Sequence, residues 1–93
     1  LELRKRIAPN GEWILSTFGI RDHAPLLELF KELHAQEQKV VLLIIGKLRA
    51  DFSLLSERLR KQIYITGFLN SKDVFLHLKV SDAFVMFDYV SKN

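Results

Sequence analysis

Lys39-Val40-Val41-Leu42-Leu43-Ile44-Ile45-Gly46 places six branched aliphatic residues in a row between a lysine and a glycine. A strand exposed on one face alternates apolar and polar side chains, whereas a strand covered on both faces reads as a continuous aliphatic run. The stretch therefore predicts an internal strand of a parallel sheet with helices on both sides. It is far below the roughly 20 apolar residues of a membrane-spanning helix, and no signal-peptide pattern opens the chain. A soluble, cytoplasmic protein is expected.

Working outward, the flanking segments carry the matching signals. Trp13 to Phe18 is a short aromatic and β-branched run ending at Gly19, the first strand in chain order. From His23 to about Gln36 the period lengthens, with Leu26, Leu27, Leu29, Phe30 and Leu33 on one helical face and Pro25 suited to the first turn. After Gly46, Asp51 or Ser53 caps a helix through Arg60, with Phe52, Leu55 and Leu59 as its buried stripe. Gln62 to Thr66 is a strand closed by Gly67. Asn70 or Ser71 caps a helix burying Val74, Phe75 and Leu78, and Ala83 to Phe87 is the last strand. Residues 1–11 serve as a linker or short helix, because Pro9-Asn10-Gly11 is a strong turn and the first regular element is expected after it.

The resulting β-α-β-α-β-α-β order demands right-handed crossovers and predicts a three-layer α/β/α, Rossmann-like domain with a four-stranded parallel sheet in the order 3-2-1-4. Ninety-three residues leave room for one domain only, and the hydrophobic fraction of 48% is that of a folded chain. Without cysteine, neither a disulfide nor a thiolate metal site holds it together, so packing must. The net charge of +3 is spread along the chain apart from Arg4-Lys5-Arg6, and the aromatics lie mostly in apolar runs that read as core. No basic stripe with interleaved aromatics is present, and nucleic acid is not an expected partner.

Three of the four glycines, Gly19, Gly46 and Gly67, fall at the carboxyl ends of the first three strands. Open parallel sheets bind ligands there, and glycine lets backbone approach a phosphate or sugar; equally, glycine simply turns the chain. After Gly19 come Ile20-Arg21-Asp22-His23 at a helix N-terminus, where free N–H groups and the dipole favour an anion. The plainer reading makes Asp22 an N-cap and leaves Arg21 and His23 in solvent.

Other chemistries lack their residues. There is no GxGxxG after the first strand, no GxxxxGK[ST] and no GxSxG around Ser16. His23, His34 and His77 lack zinc-site spacing, and His34 and His77 read as structural or solvated. Asp82 is expected to end a helix and begin a strand, while Asp88 stands at the carboxyl edge of the fourth strand. No metal or cofactor is expected.

Ser16-Thr17-Phe18-Gly19-Ile20-Arg21-Asp22-His23, Leu26-Leu27-Glu28-Leu29-Phe30, Val41-Leu42-Leu43-Ile44-Ile45-Gly46, Ile63-Tyr64-Ile65-Thr66-Gly67-Phe68-Leu69 and Ser81-Asp82-Ala83-Phe84-Val85-Met86 occur in order. Together they resemble the first half of the carboxyl-terminal, nucleotide-sugar-binding domain of the retaining GT-B glycosyltransferases (group 1 type), over about Arg4 to Asp88. The resemblance implies a parent enzyme that transfers a sugar from a nucleotide-diphosphate sugar with retention, without a metal. It implies donor contacts on the diphosphate side from Gly19, Arg21, His23, Gly46 and Lys47, and on the base side from Gly67, Phe68 and Leu69. Two departures stand out: Ala24 and Pro25 occupy positions where many members have lysine and glycine, and the sequence stops before the family's E-x7-E motif. The chain alone is therefore expected to be inactive, and its fourth strand to form an edge prone to self-association. The alternative is a non-catalytic, receiver-like α/β domain that binds a protein partner, with Asp88 the one acid at a strand end.

Overall fold

The computed structural model describes residues 2–19, 24–47, 52–53 and 55–85. In chain order the elements are α1 (Glu2–Ile7), β1 (Trp13–Phe18), α2 (Ala24–Ala35), β2 (Val40–Ile45), α3 (Glu57–Arg60), β3 (Ile63–Ile65), α4 (Ser71–Lys79) and β4 (Ala83–Phe84). The four strands form one parallel sheet in the order β3-β2-β1-β4, the predicted topology. A receiver-type order would place β1 between β2 and β3. Here β1 lies between β2 and β4, so the receiver-like form of the alternative does not fit.

The aliphatic run explains the layers. All six residues of β2 are buried. Val41, Leu43 and Ile45 join Ile14, Ile7, Ala8 and Val80 on one face, with Leu3, Leu69, Val74 and Leu78 packed against them from the α1 and α4 side. Val40, Leu42 and Ile44 join Leu15, Leu26 and Phe30 on the other, with Leu33 of α2 and Leu59 of α3. The period of two thus divides one apolar strand between two cores. Winding runs from β1 through β2 to β3, then reverses to reach β4 beyond β1. With right-handed crossovers that reversal carries α4 to the face opposite α2 and α3, as observed.

Register is continuous from Trp13↔Val40 to Phe18↔Ile45 between β1 and β2, but among the described residues β4 pairs with β1 only through Leu15↔Ala83 and Ser16↔Phe84. The hydroxyl of Ser16, fully buried, donates to the carbonyl of Ala83 at 3.3 Å and so ties the short strand to its neighbour.

Helix ends follow local chemistry. Asn70 caps α4 by accepting from the Asp73 N–H at 2.9 Å, and Leu69 and Val74 on either side of the cap pack into the same core as a hydrophobic staple. At the end of α2 the Glu37 N–H donates to His34 O and the Gln38 N–H to Leu33 O, both at 3.0 Å, a Schellman closure. Its left-handed position, φ 62°, is held by Glu37 where glycine is usual, at a cost of about 1 kcal/mol.

Several expectations need correction. Of the two alternatives for residues 1–11 the short helix is found, over residues 2–7, because Ile7, Ala8 and Leu3 have a core face to join; the first regular element therefore precedes the Pro9 turn rather than following it. Among the described residues the helix expected from Asp51 or Ser53 is reduced to Glu57–Arg60 with Ser56 as its cap; Phe52 and Leu55 still reach the core side, but from irregular backbone before it. Asp51 lies outside the described residues. Phe75 is 65% exposed rather than buried, since Val74 and Leu78 already fill the inward face of α4. The aromatics are not mainly core: Trp13, Phe68, Phe75 and Phe84 are exposed. Of the strand expected over Ala83 to Phe87, Ala83–Phe84 form β4, and Met86, Phe87 and Asp88 lie outside the described residues.

Candidate functional site

The carboxyl ends of β1, β2 and β3 converge through their glycines. The Gly19 N–H donates to Ile45 O at 3.0 Å, prolonging the β1–β2 ladder by one rung. A Cβ on Gly19 would collide with the carbonyl oxygen of Lys47, so the residue is glycine because two backbones cross there. Gly46, at φ 113°, and Gly67, at φ 73°, face each other in an isolated antiparallel bridge that turns both chains away from the sheet. Both conformations favour glycine.

Thr66 fastens this rim. Its hydroxyl accepts the Gly46 N–H at 3.0 Å and donates to the Gly67 carbonyl at 2.8 Å, while its own N–H donates to Ile44 O. Thr66 is not among the expected contact residues; its signal in the sequence is a hydroxyl between a strand end and a glycine. Of the expected donor-contact residues, Gly19, Gly46, Lys47 and Gly67 are brought together. Phe68 projects into solvent, 81% exposed, and Leu69 packs into the core beneath it. Arg21 and His23 lie outside the described residues.

Chemically, the rim is a set of backbone turns with one described cation, the exposed Lys47. The amides of Gly19 and Gly46 already have protein acceptors, so an anion at the rim would meet the ammonium and whichever amides remain. The crevice between β1 and β4, where winding reverses, is where an open α/β sheet admits a ligand.

Arg4, Asp82, His34 and His77 serve structure. Asp82, at the amino end of β4, accepts on Oδ2 from Arg4 and from the Ile14 N–H, both at 2.8 Å, and its own N–H donates to Ile14 O. Burial pushes its pKa up, but the Arg4 hydrogen bond, the Ile14 N–H and the guanidinium charge outweigh this and hold it below the usual carboxylate value. Arg4 also donates to Val80 O at 2.8 Å. Neither role is announced by the local Arg4-Lys5-Arg6 sequence. His34 Nε2 meets Val40 O at 2.9 Å with its ring edge-on to Phe30, and His77 Nδ1 meets Asp73 O at 2.7 Å. Among the described residues no group of three or more His, Cys, Asp or Glu is placed to hold a metal, and no helix is long and apolar enough to cross a membrane.

The chain matches no protein-family model, no curated protein and no solved structure. What stands is a small α/β domain with a four-stranded parallel, Rossmann-like sheet, without a tie to the GT-B glycosyltransferases in particular.

Proposed function

We propose that this chain is part of the donor-binding domain of a cytoplasmic glycosyltransferase and binds a nucleotide-diphosphate sugar at the carboxyl edge of its sheet. The diphosphate lies against Gly19, Arg21, His23, Gly46 and Lys47, and the base against Gly67, Phe68 and Leu69. The observation that carries the reading is the interlocked glycine rim on a β3-β2-β1-β4 sheet, next to the point where winding reverses. Transfer belongs to the whole parent enzyme, in which helix N-termini and basic side chains stabilise the departing diphosphate. The chain by itself binds without catalysing.

A second reading, a non-catalytic protein-interaction domain, draws on the exposure of Phe68 and Phe75. Aromatics left in solvent are interface material. In this reading the exposed β4 edge is a further route to self-association.

The test is an amide chemical-shift titration against uridine, guanosine and adenosine diphosphates and their sugar conjugates. Saturable shifts at Gly19, Gly46 and Gly67 with one base preferred are expected. A folded sample whose rim amides do not move with any of them would refute the donor site and leave the interaction reading.

A further inference from the structure

At the opposite, amino-terminal end of the sheet the turn before β1, the end of α2, the start of β2 and α3 border an open cavity of about 580 Å³, within the size range of small-molecule clefts. All but one of its lining residues, Val40, are polar or charged. Glu12 and Glu37 bring negative charge, Lys39 and Arg58 positive charge, and His34 a ring already fixed by its Val40 and Phe30 contacts.

Two features set this cavity apart from a solvated dent. Glu12 is only 6% exposed, and its carboxylate meets a single partner: Oε1 accepts the Asn10 N–H at 2.6 Å, while Oε2 has none among the described residues. A buried carboxylate oxygen without a donor calls for a ligand, an ion or water. Glu37 also lines the wall, from the left-handed position of the Schellman closure. Lys39 and Arg58 make no side-chain ion pair or hydrogen bond among the described residues, so their charges are uncommitted.

We infer that this cavity is a second site, for a small zwitterion of the free amino-acid type. The ligand's ammonium group donates to Glu12 Oε2 with Glu37 beside it, and its carboxylate is taken by Arg58 and Lys39. A simple cation would be repelled by the two bases and a simple anion by the two acids; a molecule carrying both charges satisfies all four. The site is separate from the glycine rim, so it stands or falls independently of the donor-binding reading.

The test titrates the chain with glycine, leucine and glutamine, using acetate and methylammonium as probes of each charge alone. Saturable shifts at the Glu12, Gln38 and Lys39 amides are expected with at least one zwitterion and with neither single-charge probe. Glu12→Gln, which keeps the acceptor for the Asn10 N–H, should weaken binding about tenfold or more. Arg58→Gln, on an exposed helical turn, should do likewise while leaving the spectrum of the free chain native, so a folding defect in one variant leaves the other decisive. Absence of shifts with every zwitterion, equal shifts with acetate alone, or undiminished affinity in the folded variants would overturn the assignment in favour of a water-filled cavity or a plain charged surface.

Discussion

Removing the Asp82 carboxylate should loosen β4 from β1, and the size of the effect follows from the contacts. Oδ2 accepts two hydrogen bonds, one from a guanidinium and one from the N–H of Ile14, a residue with no exposed surface. Hydrogen bonds to charged groups contribute about 1.5–3 kcal/mol and exposed ion pairs about 0.2–1 kcal/mol. The side chains of Asp82 and Arg4 are 27% and 36% exposed, which screens the pair and argues for the lower part of the first range. Asp82→Ala also strands the Ile14 N–H and should cost about 2 kcal/mol. Asp82→Asn retains a neutral acceptor and should cost about 1 kcal/mol. For a chain of this size 2 kcal/mol lowers Tm by roughly 8–16 °C. Because the folded carboxyl titrates below its ordinary value, its contribution is fully present above the unfolded pKa and is lost as pH falls through the folded one. The stability gap between the native chain and Asp82→Asn should thus be flat near neutrality and close in acid. Urea unfolding followed by circular dichroism, with Arg4→Ala completing a double-mutant cycle, measures all of this. A coupling energy near zero, or a gap that widens on acidification, would refute the reasoning.

Other substitutions test other joints of the fold. Gly19→Ala forces a methyl group against the Lys47 carbonyl and should destabilise by about 1–3 kcal/mol in chemical denaturation, since a backbone atom rather than a flexible side chain must give way. Thr66→Val leaves the Gly46 N–H without its acceptor and should cost about 1–2 kcal/mol, whereas Thr66→Ser should be much milder; hydrogen exchange at Gly46 reads the difference directly. Phe30→Ala, in the fully buried core, should cost about 3–5 kcal/mol, while Phe75→Ala on the exposed face of α4 should fall within about 0.5 kcal/mol of the native chain. Equal losses from the last two would contradict the placement of α4.

Strand order was legible because two signals agreed: an unbroken aliphatic β2 requires cover on both faces, and alternating strands and helices require parallel crossovers. The glycine rim was legible for the same reason, since Gly19, Gly46 and Gly67 punctuate strand ends. What resisted reading was long-range. Arg4 and Asp82 are 78 positions apart and nothing local in either residue names the other. Phe75 looks like core by composition, and only the actual rotation of α4, set by Val74 and Leu78, turns it outward. The polar cavity escaped notice because its walls come from four segments and its most telling residue, Glu12, sits in what reads as a plain turn after Asn10 and Gly11.

The two ends of the sheet are linked through the shortness of β4. Among the described residues only two pairs join β4 to β1, so the crevice beside the reversal of winding depends on fastenings outside that ladder. The Asp82 clasp supplies one at the amino end by tying α1, β1 and the start of β4 together, and the Ser16 hydroxyl supplies another within the strand. The carboxyl end is braced differently, by the Thr66 hydroxyl and the crossed backbones of Gly19 and Lys47, which join β1, β2 and β3 but not β4. Breaking the clasp should therefore raise hydrogen exchange at Val85, whose N–H donates to Ser16 O, before it affects Gly46 or Thr66. Equal acceleration at all three would mean that the sheet opens as one unit and that the clasp acts on global stability alone.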